Sequence, residues 1–237
     1  MIEPSEQPSE QPSEHQTGRQ IEPTERTRLR RRAERGSYDR SVIHAILDEG
    51  LVGQLGFAID GHPWTVPMVY GRIDDVVYVH GAAANHALRA LTGGIEVCLG
   101  VTLLDGLVVA RSAFHMSLNY RSVMLFGIAT RVDDPERKRA AMQAMVEHVV
   151  PGRTPDVRPP SALELKATLV LELAIVEASA KVRTGGPVDE PEDLALTTWA
   201  GEIPLSLHAG APIADEHVRP GITAPAYARR YQRPGSA

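Results

Sequence analysis

Short runs of apolar residues, each bounded by turn-forming residues, recur along most of this chain and predict β-strands. The expected strands span residues 51–59, 63–70, 76–80, 96–104, 107–112, 123–132, 168–176 and 199–207. The dipeptides Asp60-Gly61 and Asp74-Asp75 stand between consecutive runs, and Asp-Gly in particular tolerates the positive φ angles of a tight hairpin. Most strands should therefore be joined to their neighbours as antiparallel hairpins.

Helical spacing interrupts this pattern at four places, which are residues 39–50, 82–91, 134–152 and 161–167. The third begins with Asp134-Pro135-Glu136, where a cap, a first-turn proline and early acidic charge coincide. The fourth begins with the capping-box sequence Ser161 to Glu164. So few helices do not form the strand-helix repeat of a doubly wound sheet. The sequence predicts a mainly β (α+β) fold, a closed or split antiparallel β-barrel with a few peripheral helices.

The two ends of the chain differ in composition from the middle. Residues 4–16 repeat a four-residue unit without any side chain that could form a core, and six arginines follow between residues 26 and 35. Such a basic run can contact nucleic acid or an acidic partner, but a solvated arm that balances the acidic repeat is favoured. We expect a disordered tail at 1–36, one folded domain at 37–210 and a C-terminal extension at 211–237.

Composition narrows the classes of partner. The net charge of −5 gives no reason to expect nucleic acid or an anionic membrane, and no apolar run approaches the length of a bilayer span. The single cysteine, Cys98, lies among apolar residues, and the start of the chain is charged and proline-rich where a signal peptide would be apolar. We therefore expect a cytoplasmic protein that acts with small molecules or other proteins.

Several catalytic signatures are missing from the sequence, among them the G-x-S-x-G elbow, the P-loop, the H-E-x-x-H helix and paired C-x-x-C motifs. The nine histidines are scattered, and no two have convincing metal-ligand spacing on one element. We expect no protein-bound metal.

Two polar clusters next to strands carry candidate chemistry. The loop and strand at 110–131 offer Arg121 and Ser122, and the segment 180–186 offers Lys181 and Arg183 at alternating positions of one strand face. Arginine and lysine suit a phosphorylated, planar ligand. The alternatives are an ion pair of Arg121 with a carboxylate such as Asp105 and a solvent-exposed position for the other two cations.

A third candidate is the strand end His80-Gly81, which three alanines and a helix follow. Small residues let a ligand approach the backbone, and free N-H groups at a helix start favour an anion. The alternative is an ordinary strand-to-helix turn with a hydrogen-bonded histidine.

At these residues the chain resembles the pyridoxamine 5′-phosphate oxidase-like, FMN-binding split-barrel family, and especially its flavin-nucleotide-binding branch related to nitroimidazole-resistance proteins. The resemblance covers about residues 36–207 and rests on RGSYDRSVIHAILDEG, YVHGAAANHALRAL, LLDGLVVARSAFHMSLNYRSV and EASAKVRTGGPVD, in that order. It implies a homodimer with FMN bound at the interface between the two chains.

The resemblance also implies roles for individual residues. Thr65, Val66, Pro67 and Met68 would run beside the flavin ring. The ribityl phosphate would be approached by His80, Gly81 and the helix start, while Arg121, Ser122, Lys181 and Arg183 would add polar contacts. Relatives usually have arginine or lysine early in that helix, whereas this chain has Asn85-His86, and a neutral histidine supplies no fixed charge.

The expected function is that of an FMN-dependent oxidoreductase acting on an unknown small molecule, with NADH or NADPH as the electron donor to test. His80 is the first candidate for a proton donor, ahead of His115 and Tyr120. A non-catalytic flavin or haem carrier and a deazaflavin-dependent reductase are the alternatives.

Overall fold

The computed structural model describes residues 20–233. Its strands are β1 (Gly36–Ser37), β2 (Gly53–Ile59), β3 (His62–Met68), β4 (Tyr70–Ile73), β5 (Val76–Ala82), β6 (Glu96–Val109), β7 (Ser117–Ile128), β8 (Thr130–Arg131), β9 (Thr168–Ala174), β10 (Glu177–Arg183) and β11 (Gly201–Pro204). Its α-helices are α1 (Arg40–Glu49), α2 (His86–Leu91), α3 (Pro135–Val149), α4 (Ala162–Ala167) and α5 (Ala226–Arg229).

The strands form two antiparallel sheets. A seven-stranded sheet has the order β1-β10-β7-β6-β2-β3, with β11 paired to β6, and a four-stranded sheet has the order β4-β5-β9-β8. This arrangement of mostly antiparallel strands with few helices is that of a split β-barrel, so the predicted fold class is confirmed.

The main core lies between the two sheets, where apolar side chains of alternate strand positions meet. Its most deeply buried members, none more than 2% exposed, include Leu55, Leu99, Val123, Leu125, Leu171 and Ile175. Burial of one such side chain stabilises the fold by about 1.5–3 kcal/mol. Helix α1 contributes Ile43, Ile46 and Leu47 to this core, and Asp39 caps it by accepting the Ser41 N-H at 2.8 Å. The predicted first helix is confirmed.

Helix α3 packs on the outside of the four-stranded sheet and forms a second, smaller core. Ala141 and Met145 of the helix are buried against Tyr78 and Val170 of the sheet. The contact is close at Gly71 of β4, because a Cβ atom added there would lie 2.7 Å from the backbone nitrogen of Met145. Only glycine lets the strand and the helix approach so closely.

Most of the turns lie where the sequence predicts them. Asp60 and Gly61 have φ angles of 52° and 78° in the β2–β3 hairpin, and Asp74 has a φ of 49° between β4 and β5. One expected turn is absent, because β6 runs unbroken through Asp105-Gly106 with only a register shift there. The Asp105 carboxylate binds Arg121 of the neighbouring strand, and this ion pair ties the segment into the sheet.

The helix expected at 82–91 is shorter than predicted. It begins at His86, because the Asn85 side chain caps it by accepting the Leu88 N-H at 3.1 Å. Of the three alanines before it, Ala82 ends β5, and Ala83 and Ala84 lie in the connection to the helix.

Residues 20–35, which the sequence analysis assigned to the tail, contact the seven-stranded sheet. Ile21 and Thr27 are 3% and 1% exposed, and the Arg26 guanidinium lies 5.1 Å from the centre of the Phe126 ring. Arg26 also forms an ion pair with Glu177 at 2.5 Å. The repeat at residues 4–16 and the last four residues of the predicted extension lie outside the described residues.

Within residues 20–233, no helix combines the length and the apolar character required to cross a membrane.

Candidate functional site

A large open cavity, here called the α3 cavity, lies between helix α3, the segment that connects it to α4, and the end of β5. Its volume is about 1160 Å³. Ligand pockets usually measure about 300–1,000 Å³, so this cavity has room for a large cofactor.

Aliphatic side chains form most of its wall. One face of helix α3 packs against the four-stranded sheet. The adjacent face, whose apolar residues are spaced three to four positions apart, lines the cavity. The apolar lining residues are Val69, Met142, Met145, Val146, Val149, Val150, Val157, Pro159 and Pro160. A flat apolar ligand would lose its contact with water against this wall.

His80 stands at the end of β5 with its imidazole in the cavity, where its Nδ1 lies 3.0 Å from the Met145 sulfur. A thioether sulfur can only accept a hydrogen bond, so we assign the ring proton to Nδ1 and a free lone pair to Nε2. Desolvation by the surrounding side chains lowers the pKa of His80. The lowered pKa favours the neutral ring, the form that can bind a metal ion through Nε2.

Three arginines, Arg139, Arg153 and Arg158, line the same cavity. Each has a partner: Arg139 pairs with Glu136, Arg153 donates to the Tyr227 hydroxyl at 2.5 Å, and Arg158 pairs with Glu164 at 2.5 Å. The cavity therefore joins an apolar interior to cations that can bind carboxylates or phosphates of a ligand.

The segment between α3 and α4 is held in place from both sides. The Glu147 carboxylate accepts the N-H groups of Gly152 and Thr154, both at 2.7 Å. Hydrogen bonding to Thr154, followed by that to Gly152, lowers the pKa of Glu147. From the other side the Tyr227 hydroxyl donates to Asp156 at 2.7 Å. The mouth of the cavity is thus fixed by the chain itself.

The residues that the sequence analysis singled out fall into three places. His80 and Gly81 end β5, and Asn85 and His86 start α2. Of all the predicted site residues within 20–233, His80 alone lines the α3 cavity. Gly81 lies under Leu88, which would collide with any side chain at that position, so this glycine serves the packing of α2.

The polar residues of β7 and β10 form what we call the β7–β10 polar ladder, namely Arg121, Ser122, Lys181 and Arg183. The register pairs Ser122 with Lys181, and the two polar clusters are thus neighbours in the sheet. Ser122 Oγ donates to the Lys181 carbonyl at 3.4 Å, and Lys181 Nζ donates to the Arg31 carbonyl at 3.4 Å. Arg183 is 6% exposed and donates to Asn119 and to the carbonyl oxygens of Gly185 and Gly186.

Arg121 is the most strongly paired member of the polar ladder. Its guanidinium binds Asp105 at 2.7 Å through Nη2 and also binds the Glu49 carboxylate, and these bonds raise its pKa further. The pairing with Asp105 is the alternative that the sequence left open. Since both carboxylates occupy its donors, Arg121 contributes mainly to the joint between α1, β6 and β7.

Thr65, Val66, Pro67 and Met68 lie in β3, an edge strand of the seven-stranded sheet. Directly opposed residues point to the same side of a sheet, and the registers place Thr65 and Pro67 on the outer face together with Ser122 and Lys181. Val66 and Met68 pack against the core. These residues, Thr65, Pro67, Ser122 and Lys181, are four of the twelve predicted cofactor contacts, and they share one outer face.

Sequence reasoning missed the α3 cavity and its arginines. The available signal was the second apolar face of α3, because Met142, Val146 and Val149 repeat at helical spacing beyond the residues that cover the sheet. Two prolines of the following segment, Pro159 and Pro160, also line the wall.

A family model described as pyridoxamine 5′-phosphate oxidase matches residues 39–182. Among solved structures, the flavocytochrome Anf3 from Azotobacter vinelandii is 38% identical, with a TM-score of 0.83, over 89% of this chain and 98% of the other. The FAD and haem binding protein from Mycobacterium smegmatis is also 38% identical, with a TM-score of 0.79, over 82% of this chain and 96% of the other.

A 5-nitroimidazole antibiotic resistance protein from Bacteroides thetaiotaomicron shares the fold, at 23% identity and a TM-score of 0.53, over 62% of this chain and 86% of the other. No curated protein matches the chain.

Proposed function

Because the chain belongs to the pyridoxamine 5′-phosphate oxidase family, whose members bind flavins, we propose that it is a flavin-dependent oxidoreductase that also binds haem. The observation that carries the haem part is the imidazole of His80, with its Nδ1 3.0 Å from the Met145 sulfur, at the wall of an apolar cavity of about 1160 Å³. The names of two proteins 38% identical to this chain, a flavocytochrome and an FAD and haem binding protein, support it.

The residues of the α3 cavity fit a haem in three respects. The apolar wall suits the porphyrin, and His80 Nε2 is a free imidazole nitrogen of the kind that holds haem iron. Arg153, whose hydrogen-bond partner is the neutral Tyr227 hydroxyl, suits a propionate carboxylate. When bound, a haem supplies one-electron chemistry and a flavin supplies hydride or electron transfer.

The chain's own part in this function is to orient and to exclude water. Met145 fixes the His80 ring by accepting from Nδ1, while the α3 wall keeps water from the ligand. The lowered pKa favours His80 as a ligand over an acid, because it favours the neutral ring that binds iron over the protonated ring that donates a proton. We therefore prefer the role of iron ligand over the proton donor expected from the sequence.

For the flavin we propose the outer face of the seven-stranded sheet, where Thr65, Pro67, Ser122 and Lys181 lie. FMN is the flavin that the family resemblance implies, whereas the name of the Mycobacterium smegmatis protein favours FAD. The two are distinguished by mass spectrometry of the flavin released on denaturation.

We also propose that two copies of the chain pack through this outer face. Pro67, Gln54, Gly100 and Met124 form one row across β3, β2, β6 and β7, in which Gly100 keeps the surface flat and Met124 is 42% exposed. A flat, partly apolar face suits a self-complementary contact. Light scattering should give a dimer for the parent and a weaker dimer for Met124→Glu; a monomer with bound flavin would overturn this part.

The main experiment is the absorption spectrum of the protein purified with haem supplied. We expect a flavin band and a haem Soret band in the parent, and at least a tenfold lower haem content in His80→Ala with the flavin retained. The matched control is His217→Ala, an exposed histidine outside the cavity, which should keep both.

A parent without a Soret band, or His80→Ala with full haem, would contradict the assignment of haem to this cavity. Reduction of the flavin by NADH or NADPH and its reoxidation by an acceptor then test the oxidoreductase part, since a carrier would show the bands without turnover.

A further inference from the structure

A second, smaller pocket, here called the basic cleft, lies beside the α3 cavity and concentrates positive charge. Its volume is about 290 Å³, and its lining residues are Ala83, Arg89, Thr92, Arg131, Lys138, Lys166, Thr168 and Leu169. The four cations come from four different elements, α2, β8, α3 and α4. Only three lysines occur in the whole chain, and two of them meet in this cleft.

Most of this charge is not neutralised by the protein. Arg131 binds Asp133 at 2.7 Å, whereas Arg89, Lys138 and Lys166 form no ion pair within the described part of the chain. Burial, followed by the like charge of Arg131, lowers the pKa of Lys138. Asp133 offsets this only in part. Elsewhere in the protein the arginines that line a cavity have acidic or hydroxyl partners, as Arg139, Arg153 and Arg158 do.

Neutral residues complete the lining. Thr168 lines both the basic cleft and the α3 cavity, so a ligand in one pocket borders the other. The Ala83 N-H bonds to the Ala167 carbonyl at 2.8 Å and so fixes the β5–α2 connection against α4. The cleft is thus held together by its own backbone and does not depend on a ligand for its shape.

We propose that the basic cleft binds a phosphate group of a nucleotide. Lysine and arginine converging from four elements are the groups that hold a multiply charged phosphate, and a small polar cleft suits a phosphate better than a ring system. The phosphate has two chemical sources, the flavin itself or a phosphorylated nicotinamide nucleotide that donates electrons. Only this choice of source rests on the proposed function.

The test compares a cleft variant, Lys138→Gln/Lys166→Gln, with a control of equal charge, Arg28→Gln/Arg219→Gln, whose two positions are exposed and outside both pockets. One arm measures the flavin-to-protein ratio after purification. A second arm measures calorimetric binding of 2′,5′-ADP, and of pyrophosphate if the parent carries no flavin. We expect the cleft variant to lose at least tenfold in one arm while the control behaves like the parent.

The two arms separate the sources. A loss of flavin assigns the phosphate to the flavin, and a loss of 2′,5′-ADP binding with flavin retained assigns it to the electron donor. Lys138→Arg/Lys166→Arg should restore binding in either case, and added salt should weaken it in the parent. Equal results for cleft variant and control in both arms would overturn the proposal, whether or not haem binds in the α3 cavity.

Discussion

The β7–β10 polar ladder and the α3 cavity both carry cations and a candidate ligand-binding group, but they use them differently. In the polar ladder Arg121 meets two carboxylates and Arg183 is buried among amide and carbonyl oxygens. In the cavity the free Nε2 of His80 faces about 1160 Å³ of open space. The polar ladder satisfies its charges internally, whereas the cavity, whose three arginines are also paired, leaves the Nε2 lone pair of His80 for a ligand.

The difference teaches that a dense polar cluster in a sequence does not by itself mark a binding site. A charge whose partners come from the same chain contributes to stability, and removing it leaves those partners unpaired. A group that faces a cavity contributes little to stability and can be tested through its ligand. Mutations in the two regions should therefore separate stability from cofactor content.

The largest effect is expected at Gly71, where β4 supports the helix that walls the cavity. Gly71→Ala would place a Cβ atom 2.7 Å from the Met145 nitrogen, so α3 has to move away from the sheet. We expect a loss of about 3 kcal/mol in the free energy of unfolding together with loss of haem. Chemical denaturation and the Soret absorbance measure the two.

Gly210→Ala is the control for that change, since its Cβ atom would meet nothing within 4 Å. If Gly71→Ala kept its haem at full occupancy, the position of α3 would not determine the site.

The next largest effect is expected at Arg121 in the polar ladder. Arg121→Ala leaves Glu49 and Asp105 facing each other without the guanidinium, and their side chains are only 13% and 29% exposed. We expect a loss of about 2 kcal/mol, below the 3–5 kcal/mol of a fully buried pair because solvent reaches this one. Urea unfolding measures it, and the flavin-to-protein ratio should stay constant.

Adding Asp105→Asn to that variant should recover part of the stability, because one of the two orphaned carboxylates is neutralised. Unchanged stability with lost flavin would return Arg121 to the cofactor contacts expected from the sequence.

The same contrast explains what the sequence could and could not predict. Local signals gave α1, the β2–β3 hairpin and the capping box of α4, because cap and turn residues act on their own neighbours. The partners of Arg121 lie 16 and 72 positions away, so only the assembled sheet shows that its charge is used. The α3 cavity and the basic cleft likewise combine elements far apart in sequence.

A smaller, pH-dependent effect is expected at His148, on the side of α3 away from the cavity. Its Nε2 bonds to the Gly50 carbonyl at 2.6 Å, and burial followed by the charge of Arg233 lowers its pKa to about 4. Asp48 acts in the opposite direction and Arg72 in the same direction as Arg233. The unfolded chain takes up this proton near pH 6.5 and the folded protein does not, so stability falls as the pH drops below 6.5.

The free energy of unfolding cannot change by more than about 1.4 kcal/mol per pH unit for one proton, and we expect it to fall by about 1 kcal/mol by pH 5.5. Below pH 4 the folded protein is protonated as well and the slope from His148 ends. Unfolding curves at several pH values should show a flatter profile for His148→Gln. An unchanged profile would mean that other groups, such as His80 with its lowered pKa, account for the acid sensitivity.

The smallest effect on stability is expected at Lys181, the member of the polar ladder with the weakest partner. Its Nζ makes one 3.4 Å bond to a backbone carbonyl, so Lys181→Ala should change the free energy of unfolding by less than about 0.5 kcal/mol. The ammonium group keeps donors for a ligand on the outer face, beside Ser122. We therefore expect Lys181→Ala to retain less flavin than the parent at the same stability, the reverse of Arg121→Ala. Equal flavin retention would show that the whole polar ladder, and not Arg121 alone, serves the fold.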